Sequence, residues 1–201
     1  LMMTIASIVE GDGEVEAFPT LLRRLNMTLS PDIVTDVKRP IRIPRAKFLN
    51  RDFERYLKLA ASLCGAHGWI LILLDADDDC PAEKSTEILA RAKHIISDRR
   101  LSVVMANREY EAWFIASALS LDGKRGFSFS EQQPTHSDTI RDAKGWIRHH
   151  STGGGYREIT DQPAFSALMD IGVARLHSRS FKKLCEEWER NVKNLHAETG
   201  G

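Results

Sequence analysis

Hydrophobic positions along the chain recur at two spacings. Thr4–Val9 forms a short apolar run that predicts a strand, after which Val15, Phe18, Leu22 and Leu25 fall at helical spacing over about Glu14–Asn26. Pro19 is expected to kink that helix or to delay its regular start. Ile33–Val37, continued with a period of two by Ile41 and Ile43, predicts a second strand, and Phe53, Leu57, Ala61 and Cys64 make one helical face. The run Trp69–Leu74 is apolar on both faces, as a central parallel strand covered by helices must be. Ile88, Leu89, Ala92, Ile95 and Ile96 predict the next helix, Leu101–Ala106 a fourth strand, and residues 109–121 a further helix.

Four successive strand–helix units predict an α/β fold: an open, mainly parallel four-stranded, Rossmann-like sheet with helices on both faces. The character of the chain changes near Leu121. Residues 122–161 are rich in Gly, Ser, Thr, His and Gln, with one short helix expected over Asp142–His149, and read as a surface excursion. Phe181, Leu184, Trp188, Val192 and Leu195 then share one face of a helix beginning near Ser178 or Ser180, which should dock on the domain. The expected division is an α/β core over residues 1–121, then a loop excursion and C-terminal helical extension over 122–201.

Composition narrows the function classes. The 201 residues are 42% hydrophobic and 28% charged, as in an ordinary globular chain, and 28 basic residues balance 28 acidic ones. No global field therefore attracts nucleic acid or anionic lipid, so any such binding needs a local patch. The longest apolar run falls far short of the roughly 20 residues of a bilayer-spanning helix, so no membrane association is expected. The first residues lack a secretory pattern. Cys64, Cys80 and Cys185 are odd in number and widely separated, which suggests neither a disulfide framework nor a zinc clip. The expectation is a cytoplasmic protein.

In open α/β sheets the functional crevice lies beyond the carboxyl ends of the strands. Here those ends carry Glu10-Gly-Asp-Gly-Glu14, Asp75-Ala-Asp-Asp-Asp79 and Arg108-Glu-Tyr-Glu111. Gly11-x-Gly13 lacks the third glycine of a dinucleotide fingerprint, and Glu10, Asp12 and Glu14 place negative charge where a pyrophosphate would sit. Clustered carboxylates raise one another's pKa unless a cation neutralises them. Mg²⁺ or Mn²⁺, which prefer oxygen ligands, are the expected cofactors. Asp75 and Asp77 share one side if extended geometry continues through Ala76, and Glu10 would face them from the neighbouring strand.

Glu10-Gly-Asp-Gly-Glu14 and Asp75-Ala-Asp77 resemble the signature of the TOPRIM domain of topoisomerases, primases, small RNA-maturation nucleases and overcoming-lysogenization-defect nucleases, the Glu-x-x-x-Glu form being closest to the last. Arg108-Glu-Tyr-Glu-Ala-Trp-Phe114 and Arg179-Ser-Phe181 resemble a TOPRIM-like family of small prokaryotic proteins, a domain of unknown function supposed to work with an ATPase partner. The resemblance implies Glu10 as general acid/base or metal ligand, Asp75 and Asp77 as the metal-binding and catalytic pair, and Glu14 as ligand for a second ion. Glu109, Glu111 and Asp79 are additional candidates. Asp78-Asp79-Cys80-Pro81 departs from the pattern, since many TOPRIM domains have a glycine there.

The implied reaction is metal-dependent phosphodiester hydrolysis of nucleic acid, with water as nucleophile. Tyr56, Tyr110 and Tyr156 are candidate nucleophiles by residue type alone. Between Arg23 and Lys58 ten basic residues face four acidic ones, a local patch suited to a phosphate backbone. Lys144, Arg148, His149, His150 and Arg157 form a second basic stretch around Gly153-Gly154-Gly155, read as a loop over the site. Structural readings stand beside these: Glu14 and Glu16 stabilise a helix N-terminus, Asp77–Asp79 make a solvated turn, and Arg179 anchors the last helix. The alternatives are a non-catalytic partner module docking an ATPase and a small-molecule phosphate enzyme.

Overall fold

A computed structural model describes residues 1–131, 136–153 and 155–199. The chain runs β1 (Met2–Val9), α1 (Asp12–Leu29), β2 (Val34–Val37), β3 (Ile41–Arg42), α2 (Asp52–Cys64), β4 (Trp69–Asp75), α3 (Pro81–Ile95) and β5 (Arg100–Ala106). Short helices α4 (Ala112–Ala116), α5 (Ala118–Leu121), α6 (Ala143–His149), α7 (Glu158–Leu168) and α8 (Ile171–His177) follow, and α9 (Arg179–Thr199) closes the chain.

All strand pairs are parallel, in the order β2-β1-β4-β5, with β3 also on β1. The sheet thus has five strands where four were expected. Ile8 pairs with both Ile41 and Ile72, so β3 continues the β2 edge after a break at Lys38–Pro40. Pro40 has no N–H to give the ladder, which accounts for the interruption. Because β2 and β4 flank β1 on opposite sides, the crossover direction reverses between β1 and β4. The carboxyl ends of these two strands form the switch-point crevice.

Each sheet face is buried. Ala6, Ile8, Ile70, Ile72, Val103 and Met105 pack with α2 and α3. Met3, Ile5, Trp69, Leu71 and Val104 pack with α1, α4 and α9 on the other side. Trp188 of α9 meets Trp69 edge-on at 5.8 Å, and its indole N–H donates to Ser30 Oγ at 2.8 Å. The last helix docks as expected, and a Trp188→Ala cavity would cost about 3–5 kcal/mol.

Other elements depart from their sequence patterns. Pro19 lies inside a continuous α1 that starts at Asp12. The expected helix over 109–121 is broken at Ser117 into α4 and α5. Residues 122–161 are corrected from a surface excursion in their described part: Phe127, Phe129, Ala143, Ile147 and Tyr156 are buried in the same core as α1 and α9. Gly154, the middle of the expected glycine loop, lies outside the described residues.

Candidate active site

The site is assembled at the switch point. Glu10 directly follows β1, and Glu14 lies in the first turn of α1. Glu14 is buried, and its Oε2 accepts the backbone N–H of Glu10 at 3.1 Å and of Gly11 at 3.0 Å. It thus satisfies donors left open at the helix start. The structural reading of Glu14 therefore holds, and the same bonds fix it beside Glu10. Asp75 ends β4, and its Oδ1 accepts the Tyr110 N–H at 2.8 Å.

Glu111 is fully buried beneath them, where its Oε1 accepts the Tyr156 hydroxyl at 2.9 Å and the Gln162 amide at 3.2 Å. Glu10 Oε2, Glu111 Oε2 and Gln162 Oε1 are buried oxygens with no hydrogen-bond partner. A buried oxygen left without a hydrogen bond is costly.

Charge repulsion is visible in the acidities. Burial, opposed by its two backbone hydrogen bonds, pushes Glu14 up to about 6. Burial likewise pushes Glu111 up to about 7, against the opposing pull of Lys144. Asp75 is raised well above the carboxylate range, first by burial and then by Glu14 and Glu111. Glu10 is raised by burial and by Asp77, with Arg45 working in the opposite direction. Each of these shifts disfavours the charged carboxylate, and added positive charge would oppose it.

Two side chains supply part of it. Lys144 Nζ lies 3.3 Å from Glu158 Oε2 and 4.0 Å from Glu109 Oε1, while the Lys144 backbone N–H donates to Glu109 Oε2 at 3.0 Å. Burial disfavours the Lys144 charge, but Glu111, Glu158 and Asp75 outweigh it and hold the amine protonated. Arg45 donates to the Asp75 carbonyl at 2.6 Å and to Asp79 Oδ2 at 2.5 Å, and lies 3.3 Å from Asp77 Oδ2 and 3.7 Å from Glu10 Oε2.

The structure therefore brings Glu10, Glu14, Asp75 and Glu111 to one place, Glu14 and Glu111 buried and Glu10 and Asp75 half-buried, with Glu109 at the Lys144 side. Asp77 and Asp79 are exposed and joined to it through Arg45. Asp77 has φ 48° and Arg108 has φ 66°. The Asp77 N–H donates to the Arg108 carbonyl at 2.9 Å, and the Arg108 guanidinium returns a bond to the Asp77 carbonyl at 2.8 Å. Left-handed backbone at non-glycine positions stores about 1–3 kcal/mol per residue and concentrates at functional sites.

Lys144 belonged to a basic stretch expected near the site, and Arg45 to the basic run over 23–58, yet nothing in sequence singled out either. Glu158 and Gln162 were missed altogether. Gly13 is the position that admits them, because a Cβ there would stand 2.4 Å from Gln162 Oε1 and 2.9 Å from Glu158 Cγ. The glycine serves the approach of α7, beyond the expected turn. Two of the three tyrosines are placed away from nucleophilic duty: Tyr110 OH bonds Ser166 Oγ at 2.9 Å, Tyr156 donates to Glu111, and burial raises both phenols far above their ordinary value. His150 stacks on Trp146 at 3.8 Å.

A family model matches residues 9–189, from the end of β1 into α9, and its family is described as a domain of unknown function, DUF4276. The chain belongs to the DUF4276 family. The match includes every carboxylate of the cluster. Searches of curated proteins and of solved structures find no match.

The donors clustered in this DUF4276 chain are all oxygens, the ligand type that Mg²⁺ and Mn²⁺ prefer. Among the described residues, no group of three or more His, Cys, Asp or Glu stands close enough together to hold an ion. No helix of the described residues is long and apolar enough to cross a membrane. The three thiols are free, with Cys64 and Cys185 buried and Cys80 exposed.

Proposed function

We propose that this protein is a TOPRIM-like, divalent-metal-dependent phosphodiester hydrolase acting on nucleic acid. The observation that carries this reading is the convergence of Glu10, Glu14, Asp75 and Glu111 at the β1/β4 switch point, with one buried oxygen each of Glu10 and Glu111 accepting no hydrogen bond. Glu10, Glu14 and Asp75 would hold the ion after drawing closer together than they stand here, with Asp77 at the exposed rim. One or two dications would supply polarisation of the phosphoryl group and activation of water.

The chain's own residues do the rest. Glu10, raised by burial, is a stronger base than an exposed carboxylate. Lys144 keeps its proton and presents fixed positive charge beside the cluster. Arg45 pins the backbone at Asp75 and Ala76, so the β4 end keeps its place as charge develops. Arg108 and Arg141 pair with Asp78 at the rim and supply cations for a phosphate backbone.

The salt-bridged state of Arg45 with Glu10, Asp77 and Asp79 favours one rival, a non-catalytic module that neutralises its own carboxylates and docks an ATPase. Hydrolysis of DNA and RNA with Mg²⁺ or Mn²⁺, compared across wild type, Glu10→Gln and Asp75→Asn, separates the two. Activity lost in both variants supports the hydrolase. Activity absent from wild type, together with a stable ATPase complex, supports the module, and cleavage of nucleotides but no polymer assigns a small-molecule substrate.

A further inference from the structure

Strand β5 has β4 on one side only. The Ala106 carbonyl accepts the Ala76 N–H and the Arg108 carbonyl accepts the Asp77 N–H, both at 2.9 Å, so these residues turn towards β4. The intervening Asn107 N–H turns the other way, to Ser180 Oγ at 3.1 Å. Successive residues of a parallel strand direct their N–H and C=O groups to alternate sides. Val103 and Met105 therefore direct theirs with Asn107, away from β4.

On that side lies a cavity of about 400 Å³, walled by Val103 and Met105 of β5, Pro81 and Ser85 of α3, and Arg179 and Lys183 of α9. Cys80, which immediately follows Asp79, also lines it, so the cavity begins at the turn that follows β4. The Arg179 Nε meets Asp138 Oδ2 at 2.9 Å, while the side chain remains 90% exposed. Across this ion pair a second cavity of about 400 Å³ carries Lys182, His136 and His177.

These features select a ligand. Apolar walls accept a flat ring, a strand edge offers the donors and acceptors that a base edge matches, and the cation at the mouth suits a phosphate. An acidic peptide would meet the same cations, but the volume suits a compact ring, and Ser180 already closes the edge at Asn107 to strand addition. We propose that the cavity binds one unstacked nucleotide, with its base against the β5 edge and its phosphate at Arg179. The second cavity carries the next phosphate of the strand, so the substrate is single-stranded nucleic acid. This assignment rests on reading the neighbouring carboxylates as a phosphodiester site.

Fluorescence anisotropy with labelled oligo-dT and oligo-U of about ten nucleotides, in EDTA to exclude hydrolysis, tests it. Wild type and Asp75→Asn are expected to bind a single strand at least about tenfold more tightly than a duplex of equal length. Arg179→Ala, at an exposed position, and Ser85→Trp, which fills the cavity, should each weaken binding about tenfold with thermal unfolding unchanged. Equal affinity for duplex, or wild-type binding by both cavity variants, overturns the proposal. So does binding of an oligo-Glu peptide, in place of the oligonucleotide, with the same sensitivity to Ser85→Trp. Single-strand binding without metal-dependent cleavage sinks the hydrolase and leaves the cavity assignment. Cleavage insensitive to both cavity variants does the reverse.

Discussion

Asp75 Oδ1 accepts the backbone N–H of Tyr110 at 2.8 Å, tying the last residue of β4 to the turn that follows β5. One carboxylate oxygen thus sets the geometry of two strand ends, while Glu14, Glu111 and Glu10 raise the pKa of the same carboxyl after burial. Asp75→Asn keeps an oxygen for the Tyr110 N–H and removes the charge. It should fold with near-wild-type stability and lose about 10–100-fold in metal affinity or activity. Asp75→Ala also strands the N–H and should cost about 1–3 kcal/mol. Urea denaturation of the two variants separates the structural role from the chemical one.

Gly13 sets how closely α1 and α7 approach. Gly13→Ala would push against Gln162 Oε1 and Glu158 Cγ, and the side chains of a packed helix pair can yield only in part. The expected loss is about 1–3 kcal/mol, read from the denaturation midpoint, and Lys144 loses its register with Glu158.

Stability should fall as pH rises through the cluster's titration. The folded pKa values of Glu14, about 6, and Glu111, about 7, exceed the ordinary 4.5, so the folded state holds protons that the unfolded state has released. The folded state has its full advantage below about pH 4.5 and loses it as pH climbs to about 7, by about 2 kcal/mol for Glu14 and about 3 kcal/mol for Glu111. The two figures share a mutual interaction and do not add. Unfolding midpoints at pH 5 and pH 8 check the sign, and Mn²⁺, which competes with those protons, should stabilise more at pH 8.

Lys144 offsets part of this repulsion. Lys144→Met should destabilise by about 1–3 kcal/mol at pH 8, where Glu14 and Glu111 are charged, and by less at pH 5, where protons replace the lost cation. A loss independent of pH would mean that Lys144 acts through packing alone.

The alternation of strands and helices, the helix faces and the docking of α9 were legible in the sequence because each rests on apolar spacing that survives into the core. Trp69–Leu74 and the stripe through Trp188 are the plainest cases. The split of the second strand into β2 and β3 was hidden, since the period of two runs through Pro40 although its ladder bond cannot form. Helix α7 escaped notice for a functional reason: it buries Asp161, Gln162 and Ser166 where a core helix would carry apolar residues, and it contains Pro163. The carboxylates of β1 and β4 could be placed together because strand ends in a parallel sheet share an edge. Their charge partners could not, because Arg45 and Lys144 reach the cluster from a turn and a short helix whose positions only the tertiary fold determines.

The most direct measurement is Mn²⁺ titration at pH 8, followed by loss of the free-ion paramagnetic resonance signal, in wild type and Asp75→Asn. Saturable binding to wild type, weakened at least about tenfold in the variant, is the expected result. No binding at millimolar Mn²⁺, or equal binding by both proteins, would contradict a dication held by Glu10, Glu14 and Asp75.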